Sequence, residues 1–194
     1  MLKRALIAAI LLTTPVAAVA GPYEDGQAAY EKGEYDKALV LYNEAAEAGH
    51  VEAQLLLGFL HFNGDGVGQD YNTAVKWFTK AARQGDARSQ AQLGIMYENG
   101  QGVPQDFGAA AQWYNQAADQ GYSLAQAALG LMYAVGQGVK QDFPRAHMCL
   151  NLAAAQQYQG AQDNLDEVSK RMTTDQITEA QRMARQWLEK KSQQ

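Results

Sequence analysis

Apolar positions recur along this chain at helical spacing, and the pattern returns in register every 36 residues. From Asp106 to Gly121 (DFGAAAQWYNQAADQG), a turn of about 100° per residue puts Ala110, Trp113, Tyr114, Ala117 and Gly121 on one stripe. The spacing predicts a helix with that stripe buried. Asp106 stands where a carboxylate can accept from an unpaired N–H of the first turn, and Gly121 where a left-handed residue ends the helix. A second helix follows over Ser123 to Gly136, with Ala125, Ala128, Leu129, Met132 and Tyr133 at helical spacing. Gly130 interrupts it against propensity, as do Gly94 and Gly58 one and two periods earlier, which predicts close approach between helices.

The period is carried by Gly49, Gly85 and Gly121, by Asp70, Asp106 and Asp142, and by the alanine pairs at 45–46, 81–82, 117–118 and 153–154. A period between about 20 and 50 residues marks a solenoid, whose units cannot bury their apolar faces alone. Such a fold yields an extended binding surface rather than a catalytic cleft. Each second helix runs into a glycine-bearing loop: NGDGVGQD at 63–70, NGQGVPQD at 99–106 and VGQGVKQD at 135–142. A phosphate cradle would need a lysine followed by Ser or Thr and a preceding strand, which are lacking, so the loops read as turns between repeats.

The ends differ from the array. Lys3 and Arg4 precede an apolar run from Ala5 to Leu12, then Pro15 and Ala18-Val19-Ala20. This is the order of a secretory signal peptide over residues 1–20, cleaved before Gly21. The run falls short of the about 20 residues a spanning helix needs, which weighs against an uncleaved anchor. With no cysteine at the processing site, a lipid anchor is not expected. At the other end, Thr173 and Gln176 form a capping box, and a helix from Thr174 to about Lys190 aligns Ile177, Ala180, Ala184, Trp187 and Leu188. Covering the last repeat is its expected role, with recruitment of a partner as the alternative.

Without Lys3 and Arg4 the chain has 14 basic and 21 acidic residues, a net charge of −7. That excludes nucleic acid and anionic membrane surfaces as natural partners. No other apolar stretch suits a membrane span, so no insertion is expected after cleavage. Export predicts the periplasm of a Gram-negative host, or secretion. Cys149 is the sole cysteine, so packing rather than a disulfide must hold the fold.

The aromatic pairs Trp77-Phe78 and Trp113-Tyr114, the Ala-Ala-x-x-Gly endings, the Ala-Gln-x-x-Leu-Gly openings at Ala53 and Ala125 (Ser89 in the middle unit) and the Gly-x-Gly-Val loops recur together. In this set the chain resembles the SEL-one-like repeats of the tetratricopeptide superfamily, from about Glu34 to Leu165. The resemblance implies an all-α fold, a right-handed α-solenoid of antiparallel helix pairs with about four repeats. It implies an adaptor or scaffold role, with no catalytic residue set. The expected organisation is an N-terminal capping helix within 21–33, the solenoid over 34–171 and a C-terminal capping helix and tail over 172–194. The fourth unit departs from the family pattern. Cys149 and Leu150 replace the aromatic pair, Gln157 the terminal glycine and Asp166 the packing glycine, as suits a solenoid end.

Candidate chemistry is sparse. His147 and Cys149 lie two apart, about 200° around a helix, and cannot readily share a metal or act as nucleophile and base. His50 and His61 lack an acidic partner that would signal zinc. No cofactor, metal site or catalytic residue is predicted. The rival reading is a cell-envelope hydrolase acting on peptidoglycan or a β-lactam, which the resemblance keeps open. The Ser-x-x-Lys signature is missing, since Gln92, Gln126 and Met172 follow Ser89, Ser123 and Ser169 by three.

A binding surface remains. Opposite the apolar stripe, translation by one period gives the ladders Asn43, Thr79, Asn115, Asn151; then Val40, Lys76, Gln112, Met148; then Glu47, Arg83, Asp119, Ala155. In tetratricopeptide superhelices the first helix of a pair lines the concave groove. The ladder helices read as the first of each pair, so Asn43, Lys76, Thr79, Arg83, Gln112, Asn115 and Asn151 are expected to face a protein or peptide ligand. Asn and Thr suit a peptide backbone, and Lys76 and Arg83 a carboxylate. The same ladders would also serve as an ordinary solvated face.

Overall fold

The computed structural model describes residues 21–193, so the signal peptide expected over 1–20 lies outside the described residues. Among the described residues the regular structure is ten helices: α1 (Pro22–Glu31), α2 (Tyr35–Glu47), α3 (Val51–Asn63), α4 (Tyr71–Arg83), α5 (Ala87–Asn99), α6 (Phe107–Asp119), α7 (Ser123–Val135), α8 (Phe143–Ala155), α9 (Ala161–Ser169) and α10 (Thr174–Ser192). Consecutive helices from α1 to α9 pack side by side along the chain into an all-α solenoid.

The caps stand where the sequence puts them. Asp70 accepts from the backbone N–H groups of Asn72 and Thr73 at 3.0 and 3.2 Å, Asp106 from Ala109 at 2.9 Å and Asp142 from Arg145 at 3.0 Å. Gly121 ends its helix turn at φ 93°, a conformation open to glycine without steric cost. Gln157, one period later, adopts φ 59° despite its side chain.

The pairing was not legible in the period. The larger interfaces join α1 to α2, α3 to α4, α5 to α6 and α7 to α8, and the smaller ones join α2 to α3, α4 to α5 and α6 to α7. The glycine-bearing loops therefore connect the two helices of one tight pair and are not turns between repeats. The mid-helix glycines explain the tightness. A methyl group on Gly58 would stand 2.5 Å from the Phe78 ring, on Gly94 2.5 Å from Tyr114, and on Gly130 2.8 Å from Leu150. Absent side chains let α3, α5 and α7 receive the large residue of their partners. Gly26 does the same for Tyr42, at 2.8 Å, so α1 packs on α2 as α3 packs on α4.

Buried glutamines join successive pairs. Gln54, Gln90 and Gln126 donate to the carbonyls of Ala46, Ala82 and Ala118 at 2.8, 3.1 and 3.3 Å. A second glutamine series closes the loops: Gln69, Gln105 and Gln141 donate to the carbonyls of Phe62, Glu98 and Ala134. The second series satisfies carbonyls that the ends of helices leave without partners, whereas the Ala46, Ala82 and Ala118 carbonyls accept from the glutamine in addition to the turn N–H of Gly49, Gly85 and Gly121.

The Thr173–Gln176 capping box forms as predicted, at 3.0 and 3.3 Å. α10 packs back on α8, with Ala180 and Ala184 buried. Leu188, expected on the buried stripe, is exposed instead, because Met183 and Trp187 turn toward the solenoid.

Candidate interaction surfaces

Two rows of helices form the two faces. In the odd-numbered row, α5 approaches α7 and α7 approaches α9 directly. Between them lies a cavity of about 580 Å³ whose lining includes Glu98, Tyr114, Leu131, Met132, Val135 and Tyr158. Leu131 is 41% exposed and Val135 64%, so the cavity opens onto uncovered apolar surface. Its floor is fixed by the Tyr114 hydroxyl, which donates to Glu98 Oε2 at 2.7 Å. Burial first, then the Glu98 carboxylate, push the Tyr114 pKa well above the usual phenol range, so the donor stays protonated.

The ladder residues stand on the even-numbered row and have separate fates. Asn43 donates to the Leu39 carbonyl of its own helix at 2.8 Å, and Asn115 to Asp119 at 3.3 Å. Glu47 pairs with Lys80 at 2.8 Å, and that ammonium also lies 4.1 Å from the Trp77 ring centroid. Lys76, Thr79, Arg83, Gln112 and Asn151 make no side-chain hydrogen bond or ion pair among the described residues. Lys76, Thr79 and Arg83 share α4, Gln112 and Asn115 share α6, and Asn43 and Asn151 stand on α2 and α8. Toward the C-terminus the row is partly covered. Asn115, Asp119, Met148 and Cys149 share a cavity of about 190 Å³ with Met183 and Trp187 of α10.

The candidate chemistry does not converge. Cys149 is buried, and burial is the largest cause raising its thiol to about 12, so it is a thiol and not a nucleophile near neutrality. His147 is buried with Nδ1 unpartnered, and burial lowers its pKa. Among the described residues no cluster of His, Cys, Asp and Glu could hold a metal ion.

The pairing of odd with following even helices has a counterpart in known proteins. A Sel1 repeat family model matches residues 17–50, 51–86, 87–122 and 123–158. The chain belongs to the Sel1 repeat family. A Sel1 repeat protein from Oxalobacter formigenes is 38% identical over 66% of this chain and 97% of that one, with a TM-score of 0.62. A protective antigen present in uropathogenic Escherichia coli strains, displaying an SLR fold, is 28% identical with a TM-score of 0.51. That match covers 87% of this chain and 45% of the antigen, so this chain spans less than half of that protein. Helicobacter pylori cysteine rich protein B shares the fold at 22% identity and a TM-score of 0.50, over 72% of this chain and 93% of that one. No curated protein matches the chain.

Three of the Sel1 units begin at Val51, Ala87 and Ser123, so the odd-numbered helix comes first in each. The order of helices in a pair is therefore the reverse of that read from the sequence, and the ladders stand on second helices. Leu131 and Val135 were missed although a signal existed. Apolar residues surround α7 (SLAQAALGLMYAV), too many for one buried stripe.

Proposed function

We propose that this Sel1 repeat protein is an exported, non-catalytic scaffold that binds a protein or peptide segment on the face of α5, α7 and α9. The observation that carries this reading is the uncovered apolar surface of Leu131 and Val135 above the 580 Å³ cavity. An apolar side chain of the segment would enter the cavity, while Gln137, Gln159 and Asn164 at its lining offer hydrogen bonds to a backbone. Sel1 repeat proteins are repeat scaffolds that commonly mediate protein interactions, which supports the class. No helix of the described residues is long and apolar enough to cross a membrane.

Lys76, Thr79, Arg83 and Gln112 make up a second, polar face on the even-numbered row, which serves as the control surface. The hydrolase reading gains nothing from Cys149 or Ser89, both buried. Cell fractionation tests export, and capture from the compartment found tests binding. A protein retained by the wild type and lost with the Leu131→Glu, Val135→Glu double variant supports the proposal. An identical retained set for both overturns it.

A further inference from the structure

The first pair differs from the others at one place. In the second and third glycine-bearing loops the chain presses on the start of the preceding even-numbered helix. A methyl on Gly102 would stand 2.4 Å from the Tyr71 carbonyl oxygen, and one on Gly138 2.1 Å from that of Phe107. One period earlier Gly66 should press on Tyr35, yet it has nothing within 4 Å. The space between is a cavity of about 460 Å³, lined by Tyr30, Tyr35, Leu39, Tyr42 and Leu60 with Asp65 and Gly66 on the loop side.

Its chemistry is aromatic and anionic. Tyr30 and Tyr35 are 51% and 58% exposed, and their rings meet edge to face at 5.1 Å. The residues at the Tyr35 position in later pairs, Tyr71, Phe107 and Phe143, are all half-buried. Asp65 supplies a carboxylate, and no lysine or arginine lines the space. Burial first, then Tyr23, Tyr30 and Glu31, raise the Tyr42 pKa, so its hydroxyl stays neutral. Aromatic faces carry a negative quadrupole, so a cation gains both from the rings and from the Asp65 carboxylate, whose Oδ2 accepts from Asn63 at 3.0 Å, whereas a neutral ligand gains no charge attraction from either.

We propose that the Tyr30–Tyr35–Tyr42 cavity with Asp65 binds an organic cation, a quaternary ammonium or the guanidinium of an arginine side chain. It lies at the opposite end of the solenoid from the Leu131 surface and does not depend on it, so either can fail alone. The test is titration of the protein with choline and with its neutral isostere 3,3-dimethylbutan-1-ol, read from the amide shifts of Tyr35, Asp65 and Gly66. Choline should shift these amides saturably and bind about tenfold or more tighter than the isostere. Tyr35→Ala should abolish the shifts and Asp65→Asn weaken binding severalfold, with unchanged thermal midpoints because both positions are exposed. N-acetyl-arginine amide binding tighter than choline would assign the site to a partner's side chain, and the reverse order to a free quaternary ammonium. Equal binding of choline and its isostere, or no shift with either cation, would overturn the proposal.

Discussion

Gln84, just past the end of α4, donates from Nε2 to Oε1 of Gln54 in α3 at 2.8 Å. Gln120 does the same to Gln90 and Gln156 to Gln126, each at 2.8 Å. Since Gln54 itself donates to the Ala46 carbonyl, each relay ties the ends of two even-numbered helices through the odd-numbered helix between them. A buried amide satisfied on both sides fixes the spacing of neighbouring repeats in a way that apolar contact alone does not.

Replacing the centre of a relay should therefore cost more than replacing its end. Gln90→Ala removes one of the two donors to the Ala82 carbonyl, which keeps the Gly85 N–H, and takes the acceptor from Gln120, a loss of about 0.5–1.5 kcal/mol. Gln120→Ala should cost less, since Gln120 is exposed and its partner can be reached by water. Urea denaturation of both variants checks this, with the exposed Gln116→Ala as control. Equal midpoints for Gln90→Ala and Gln116→Ala would refute the relay.

Gln157→Gly should stabilise the fold. A side chain at φ 59° costs about 1–2 kcal/mol, and glycine occupies this turn position in the preceding repeats. Glycine also loses more freedom on folding, so a net gain of about 0.5–1 kcal/mol is expected. Thermal unfolding should show a rise of about 2–4 °C. A lowered midpoint would mean that the Gln157 side chain contributes more than its backbone costs.

Cys149 stands where α4 and α6 carry Trp77 and Trp113, and Trp187 of α10 lines the cavity beside it. The small thiol leaves a cavity of about 190 Å³ that Trp187 lines from the other side. Cys149→Trp should compete with Trp187 and loosen α10, raising amide exchange across residues 180–190 while α2 to α6 stay protected. Unchanged protection of α10 would show that its docking does not depend on this exchange of side chains.

His147 adds a pH dependence. Burial lowers its pKa in the fold, so the unfolded chain takes up the proton first. Stability should fall as pH drops below the ordinary histidine value of 6.5 and level off once the folded state also protonates. Denaturation midpoints between pH 8 and 5 should be flatter in His147→Gln than in the wild type. Parallel curves would remove His147 as the source.

The helices, their aspartate caps and the packing glycines were legible because each leaves a residue type at a fixed phase of the repeat. The pairing was not, since a period gives spacing but no origin. Gly26 escaped notice because the α1–α2 connection spans only 32–34, against 64–70 from α3 to α4, which breaks the period. Gln54, Gln90 and Gln126 recur in register, yet a polar side chain reads as solvent-facing until its two partners are seen. The tyrosine cavity was illegible for a different reason: it arises where a contact made by Gly102 and Gly138 fails at Gly66.

The scaffold reading is tested most directly by site-specific photo-cross-linking in cells, with the probe placed in turn at Leu131, Val135, Lys76 and Arg83. The account predicts one protein captured from Leu131 and Val135 and none above background from Lys76 and Arg83. Capture from Lys76 and Arg83 alone would contradict it and move the binding face to the even-numbered helices.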